Sequence, residues 1–395
     1  MKNMKRSNVL GIVAEYNPFH NGHLYQLNKC KELSDAECVV AVMSGNFTQR
    51  GEIALLDKWT RAKMAILSGV DLVVELPFYY ACNSAEYFAK GAVEILDSLG
   101  AVTHVGFGSE DGDINKLSGI AKKLNGEDEK FQDELKIHLS KGLSYPRART
   151  LALGENSDLV TLPNNILAIE YLRQLFLRES MIFPVTVKRY KTGYHQKEKV
   201  DGIQSGTSIR TFLKKDCDIT QIAIPTASFN EINGQKDKIL FYDNQKLFNM
   251  IRTTILTKDS YQLERIFSIG EGLENKLLKE IRNQKDLKSL IEAVKSKRYT
   301  RTRIQRMLIH ILVNFEKNHN KPNYIRVLGF NDRGGSLLKY IKKEKLNSMP
   351  IVTNINKHKD LDFSLDIRAT DIYNIISGSD IYSNSDFTNK PIIIR

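Results

Sequence analysis

The stretch His20-Asn21-Gly22-His23 constrains this chain more than any other. It follows an apolar run, Val9-Leu10-Gly11-Ile12-Val13-Ala14, and precedes an amphipathic segment that begins at Leu24. An H-x-G-H sequence therefore stands at a strand-to-helix turn, where a parallel α/β sheet seats a nucleotide. Gly22 has no Cβ, so phosphates can approach the backbone closely. A helix starting there aims free N–H groups and a positive dipole end at an anion. The flanking histidines can donate hydrogen bonds to phosphate oxygens as charge develops during displacement. Asn17-Pro18-Phe19 forces the turn, because Pro18 cannot pair in a central strand. The predicted chemistry is attack on the α-phosphate of a nucleoside triphosphate. A zinc pair or two capping histidines are the alternatives.

The first half of the chain alternates apolar strands with helical segments. Strands are expected at Asn8 to Ala14, Cys38 to Met43, Asp71 to Leu76, Thr103 to Phe107 and Phe183 to Tyr190. Helices are expected from Gly22, near Asp57 to Ser68, and from Ala85 to Leu99, with helical segments between Asp113 and Arg178. Continuous apolar strands of this kind predict a buried parallel sheet, a Rossmann-like α/β domain. A polar loop, Lys191 to Asp201, leads to a helix capped near Ser205. Asp218 to about Lys317 reads as mostly helical and lysine-rich. Tyr324 to Gly329, a helix from Gly334-Gly335 and Pro350 to Thr353 read as a small, separate α/β module. The expected division is residues 1–220, 221–320 and 321–395, in keeping with the length.

Ser205-Gly206-Thr207-Ser208-Ile209-Arg210 is the natural partner of the first turn. Its hydroxyls, helix-start N–H groups and the Arg210 fork suit phosphate oxygens. A plain N-cap with an exposed arginine is the alternative. No Walker A stretch is present, and no K-M-S-K-S, which class I aminoacyl-tRNA synthetases carry as their second motif. Gly106-Phe107-Gly108-Ser109-Glu110-Asp111-Gly112 misses the dinucleotide spacing and follows the fourth strand, which excludes a Rossmann dehydrogenase. Gly108 still lies at a strand's carboxyl end, where an adenosine would sit.

The paired H-x-G-H and Thr207-Ser208-Ile209-Arg210 motifs resemble the nucleotidylyltransferase superfamily. Further stretches narrow this. They are Val13 through His23, Val42-Met43-Ser44-Gly45-Asn46-Phe47-Thr48-Gln49-Arg50-Gly51-Glu52, Asp57-Lys58-Trp59-Thr60-Arg61-Ala62, Glu75-Leu76-Pro77, Phe107-Gly108-Ser109-Glu110, Pro163-Asn164-Asn165-Ile166-Leu167 and Lys297 through Arg303. Together they resemble the bacterial tRNA(Met) cytidine acetate ligase family across almost the whole chain. The resemblance implies that acetate and ATP give acetyl-adenylate and pyrophosphate. The acetyl group then passes to N4 of the wobble cytidine of elongator tRNA(Met). It also implies an ATP site at Val13-Ala14-Glu15-Tyr16-Asn17-Pro18-Phe19-His20-Asn21-Gly22-His23-Leu24-Tyr25-Gln26, Gly108, Asn165 (with Asn164 as rival) and Arg189.

Acetate arrives ionised, so its attack needs charge screening and alignment but no general base. His20, His23, Ser205 and Arg210 are the candidates for that role, with Mg²⁺ bridging phosphates. No resident metal ligands are expected. Lys58 and Arg61, one helical turn apart, face either phosphates or solvent. Glu15, at the end of the first strand, serves metal or amine handling, or only a hydrogen-bond network. Net charge is +12, which attracts polyanions. Lys295, Lys297, Arg298, Arg301, Arg303 and Arg306 crowd one predicted helix with Tyr299, which reads as a tRNA phosphate track with a stacking ring. A solvated basic face is the alternative. No membrane or DNA partner is expected. No cysteine pair forms C-x-x-C, which fits a reduced, cytoplasmic setting. The basic N-terminus leads into a short apolar run that reads as a strand and not a signal peptide. The competing readings are a small-molecule nucleotidylyltransferase and a noncatalytic RNA-binding protein.

Overall fold

The structure, a computed structural model, describes residues 7–189, 204–215, 219–235, 244–296, 298–378 and 384–395. The expected loop Lys191 to Asp201 and Lys297 lie outside these residues. The chain opens with β1 (Asn8–Ala14), α1 (Asn21–Ser34), β2 (Ala36–Ser44), α2 (Lys58–Leu67) and β3 (Leu72–Leu76). The short α3 (Phe78–Ala81), α4 (Ala85–Leu99) and β4 (His104–Ser109) follow. Four helices, α5 (Ile114–Lys122), α6 (Glu129–Ser140), α7 (Tyr145–Ala152) and α8 (Pro163–Leu177), separate β4 from β5 (Phe183–Lys188).

These strands alternate between two apolar faces because side chains along a strand point to opposite sides. In β2, Cys38, Val40 and Val42 join the core under α4 and α8. Val39, Ala41 and Met43 join the core under α1 and α2. With both faces covered, the strands read as unbroken apolar runs, as expected.

The sheet order is β5-β4-β1-β2-β3, all parallel. The chain winds outward from β1 to β3, then returns to the other side of β1 for β4 and β5. The order therefore reverses between β1 and β4. Open α/β sheets bind ligands in the crevice beyond the carboxyl ends of strands at such a switch point.

Beyond β5 come α9 (Gly206–Leu213) and α10 (Thr226–Asn233), then the helical segment α11 (Asn244–Leu256), α12 (Ser260–Glu264), α13 (Leu273–Glu280), α14 (Leu287–Val294) and α15 (Arg301–Val313). Residues of α11 through α15 share the core that covers one face of the sheet. His310 of α15 reaches the carbonyl of Cys82 at 2.6 Å, next to β3's exit. The last elements are β6 (Ile325–Asn331), α16 (Asp332–Glu344), β7 (Ile351–Val352), α17 (Ser364–Ser377), α18 (Ser385–Thr388) and β8 (Ile392–Ile394).

Here the structure corrects the expectation of a separate C-terminal module. β6 pairs antiparallel with β3, with Leu72 opposite Phe330, and β7 and β8 add to β6. Residues 321–395 thus extend the main sheet. A buried charge cluster fixes the join. Lys58 of α2 meets Glu75 of β3 at 2.8 Å and Asp386 of α18 at 2.7 Å, and Arg326 of β6 bridges the same two carboxylates. Lys58 is therefore neither a phosphate ligand nor part of a solvated face.

Candidate active site

Helix α1 begins with a capping box made of imidazoles. His20 is the N-cap, and its Nδ1 accepts the N–H of Gly22 at 3.1 Å. His23, at the third helical position, returns the bond: its Nδ1 accepts the N–H of His20 at 3.3 Å. The i, i+3 spacing is that of Ser/Thr with Glu in an ordinary capping box, satisfying two otherwise orphaned donors. The rings stack with centroids 3.7 Å apart. Tyr16 enters this turn in the left-handed region, at φ 45°, and the Asn17–Pro18 peptide is cis. A non-glycine residue there costs about 1–2 kcal/mol. Packing of the buried Tyr16 ring against Phe19 at 4.7 Å and His23 at 5.1 Å offsets that cost.

This cap fixes the chemistry of both rings. Each Nδ1 uses its lone pair on a backbone N–H, so the proton of the neutral ring sits on Nε2. Burial, reinforced by Arg189 and Arg210, pushes His20 down to about 3, and burial with the neighbouring His20 and Arg189 takes His23 well below its ordinary range. Both are neutral hydrogen-bond donors at physiological pH. The same cap corrects one expectation. The N–H groups at the helix start are not free: Asn21 donates to the carbonyl of Ala223 at 3.3 Å, Gly22 to His20, and His23 to the carbonyl of His20 at 2.8 Å. Anion binding here falls to side chains and the helix dipole.

His20, Gly22, Tyr25 and Gln26 form one wall of a cleft of about 430 Å³ at the switch point. Gly108 at the end of β4, and Val187, Lys188 and Arg189 at the end of β5, form the facing side. Gln204 and Ser205 close it. A Cβ on Gly108 would stand 3.0 Å from Arg189 Cγ and 3.3 Å from Gln26 Oε1, so any side chain here crowds both residues at the cleft floor. Ser205 caps α9, accepting the N–H of Ser208 at 3.1 Å. Arg210, one turn on, donates to the Asn17 carbonyl at 2.9 Å and pairs with Glu52 at 3.1 Å. A Cβ at Gly206 would lie 3.3 Å from Arg210 Nη1 and 3.7 Å from His20 Cδ2. The two sequence motifs, far apart along the chain, meet here. Val187, Lys188 and Gln204 were missed in the sequence; their signal was position alone, at the end of β5 and just before the α9 cap.

Other expected residues stand behind the cleft. Asn165 is fully buried, and its Oδ1 accepts the N–H groups of Glu110 and Asp111 at 2.9 and 3.2 Å. Glu110 returns to the backbone N–H groups of Asn164 and Asn165 and to the Asn164 amide. The P-N-N stretch thus braces the loop after β4, although the Asn165 Nδ2 has no partner among the described residues. Val13, Ala14, Phe19 and Leu24 pack in the core beneath the turn, and the Asn17 side chain holds the N–H of Leu55 at 2.8 Å. Arg61 faces neither phosphate nor solvent. Fully buried, it donates to the carbonyls of Leu56 at 2.9 Å, Glu15 at 2.6 Å and Ser44 at 3.1 Å, and to that of Gly45. It ties the exits of β1 and β2 together. Glu15 accepts the N–H of Gln49 at 2.7 Å.

The basic stretch differs from one cationic helix. Lys295 and Arg298 precede α15, which starts at Arg301 behind the Thr300 cap. Arg301 pairs with Glu292 at 3.0 Å and Arg298 with Glu271 at 3.3 Å. Tyr299 is buried, its hydroxyl on Glu271 and its ring covered by Arg303 at 4.3 Å, so it is no open stacking platform. Arg306 turns inward, its Nη1 3.5 Å from the carbonyl of Gln49. A Cβ on Gly51, at φ 74°, would stand 2.7 Å from the Arg306 nitrogen. The loop after β2 therefore lies directly against α15. Among the described residues no cluster of His, Cys, Asp or Glu is placed to hold a metal ion, and no helix is long and apolar enough to cross a membrane.

Comparison with known proteins agrees with this geometry. The sequence model of the HIGH Nucleotidyl Transferase family matches residues 7–386. The chain is 40% identical to the tRNA(Met) cytidine acetate ligase of Clostridium novyi, covering 98% of this chain and 100% of that one. It is 44% identical to the protein of the same name from Caldicellulosiruptor saccharolyticus, over 97% and 98%. The crystal structure of Thermotoga maritima TmcAL bound with alpha-thio ATP superposes with a TM-score of 0.89 at 33% identity, over 98% of this chain and 100% of that one. With its two phosphate motifs meeting at the switch point of the sheet, the chain belongs to the HIGH nucleotidyl transferases and, within them, to the tRNA(Met) cytidine acetate ligase family.

Proposed function

We propose that the protein joins acetate to tRNA(Met) at the expense of ATP. In the first half-reaction an acetate oxygen attacks the α-phosphorus, and pyrophosphate leaves as acetyl-adenylate forms. In the second, N4 of the wobble cytidine of elongator tRNA(Met) takes the acetyl group and AMP leaves. The observation that carries this reading is the convergence of the His20–His23 cap with the Ser205–Arg210 helix start on one cleft, in a chain matched end to end by curated ligases.

The cleft residues serve the first step by alignment and charge. The adenosine lies against Gly108, whose missing Cβ admits it. The Nε2–H groups of His20 and His23 donate to the α-phosphate oxygens as charge grows there, without the imidazoles themselves becoming charged. Arg189 and Arg210 supply the positive field, and Ser205 a hydroxyl. Mg²⁺, if bound with ATP, would add charge screening at the phosphates beside Arg189 and Arg210. Seating in the cleft limits the access of water to the mixed anhydride. The delocalised N4 amine is a weak nucleophile, so this activation is needed. The target base must be splayed from the anticodon loop to reach it.

The RNA contact is proposed at 297–303, where Arg298, Arg301 and Arg303 supply phosphate contacts beside the α15 N-terminus, with Lys297 of the same stretch lying outside the described residues. Tyr299 and Arg306 brace that surface from beneath. The cytoplasm, where tRNA is charged, is the expected place of action. Acetate-dependent exchange of labelled pyrophosphate into ATP tests the reading. The small-molecule nucleotidylyltransferase alternative requires exchange with phosphopantetheine or nicotinamide mononucleotide and none with acetate.

A further inference from the structure

Acetyl transfer requires a proton acceptor that the first half-reaction does not. As N4 bonds to the acetyl carbon and the acetyl–O bond to AMP breaks, the nitrogen must lose one proton. The histidines are unsuited to accept it, because each Nδ1 already accepts a backbone N–H and each Nε2 carries the ring proton. The carboxylates at the exits of β1 through β4 are Glu15, Glu52, Glu75, Glu110 and Asp111. Glu75 is locked by Lys58 and Arg326, and Glu52 by Arg210. Glu110 accepts three N–H bonds from Asn164 and Asn165. Asp111 accepts the N–H of Asp113 and has Lys116 at 4.0 Å.

Glu15 differs. One oxygen accepts the Gln49 N–H at 2.7 Å. Among the described residues the other has no hydrogen bond, and no cation lies within ion-pair distance. The residue directly precedes the left-handed Tyr16 of the nucleotide turn. Gln49 in turn donates its side-chain amide to Asn83 at 2.9 Å and offers its carbonyl to Arg306 of α15. The carboxylate therefore stands between the nucleotide turn and the loop that packs on the basic helix.

We infer that Glu15 accepts the N4 proton during acetyl transfer, its carboxylate oriented by the Gln49 N–H. The inference rests on the ligase reading above. The groups facing Glu15 are Arg210 of α9, Arg61 of α2, Glu52 and Arg50 of the loop after β2, Tyr171 of α8, and Cys82 behind α3. Burial outweighs the opposing Gln49 N–H and the arginines and raises the carboxyl above its ordinary range, which makes it a better base near neutrality. After transfer the products are N4-acetylcytidine, AMP and a protonated Glu15, which returns its proton to water.

Glu15→Gln keeps an acceptor for Gln49 but removes the base. The expected result is single-turnover acetyl transfer that falls about thirtyfold or more further than acetate-dependent pyrophosphate exchange does in the same variant. Equal loss of both half-reactions, or undiminished transfer, overturns the inference. Should the glutamine variant fail to fold, Glu15→Asp carries the test. Its transfer step must show a displaced acid limb in the pH profile while exchange stays flat, and an undisplaced limb overturns the inference. Failure of the ligase reading itself is distinguishable, because the parent protein would then form no acetylcytidine.

Discussion

His20 joins two roles in one ring, since Nδ1 caps α1 and the ring lines the cleft where the proposed chemistry takes place. His20→Ala should therefore cost about 1 kcal/mol of stability as a lost cap, read from thermal unfolding. It should also lower the acetate-dependent exchange rate by about 10²–10³, as expected for one oxyanion donor. The folded His20 titrates at about 3, below its ordinary value, so the unfolded chain binds more protons through the window from 6.5 down to about 3. The imidazole cap thus favours the fold fully above that window, and stability falls as pH drops through it. Urea unfolding at several pH values checks this slope, which His20→Gln should flatten. At Gly108 a side chain must push on Arg189 and Gln26, so Gly108→Val should raise the KM for ATP tenfold or more with little effect on unfolding. The H-x-G-H turn and Gly108 were legible in the sequence because their spacing is local. Arg61 and Lys58 were not, because a charged helix residue is normally solvated. Their burial depends on carbonyls and carboxylates supplied by Glu15, Ser44 and Asp386, positions that only folding brings near.

At the scale of elements, the exits of β1 and β2 hang on one guanidinium. Arg61→Met leaves four buried carbonyls without that donor and should destabilise the protein by about 3 kcal/mol or more. Differential unfolding measurements check the size. The loop after β2, pinned between Glu15 and α15, stood out in the sequence only as one of the stretches that carry the family resemblance. Gly51 was its one local clue, since only a left-handed, Cβ-free residue lets α15 approach so closely. On α15 itself, Arg301→Glu and Arg303→Glu should weaken tRNA binding and reduce the slope of log affinity against log salt by about 1 each. Pyrophosphate exchange should be unchanged, because neither side chain lines the cleft. The basic stretch was legible as charge. Its burial of Tyr299 and Arg306 was not, since the partners Glu271 and Gln49 lie in other segments.

In the whole molecule the five parallel strands were legible, and the strand that joins them from the C-terminal end was not. An apolar run such as Ile325 to Leu328 carries no sign of its direction or of its neighbour, so β6 read as a separate sheet. Its antiparallel place beside β3 is set by the Lys58–Glu75–Arg326–Asp386 cluster as much as by apolar packing. Lys58→Met would bury two carboxylates with one cation fewer and should cost about 3–5 kcal/mol. One continuous sheet further predicts that the nucleotide cleft and the C-terminal segment unfold together in a single transition. The β1–β4 crevice and the helical layer lie on one sheet, as the proposed division between nucleotide chemistry and RNA contact requires. Incubating the protein with ATP, Mg²⁺, labelled acetate and elongator tRNA(Met), then analysing the nucleosides, tests that joint assignment most directly. The account predicts label in N4-acetylcytidine, dependent on ATP and abolished by His20→Ala. Absence of acetylcytidine from a protein that still binds ATP would contradict it.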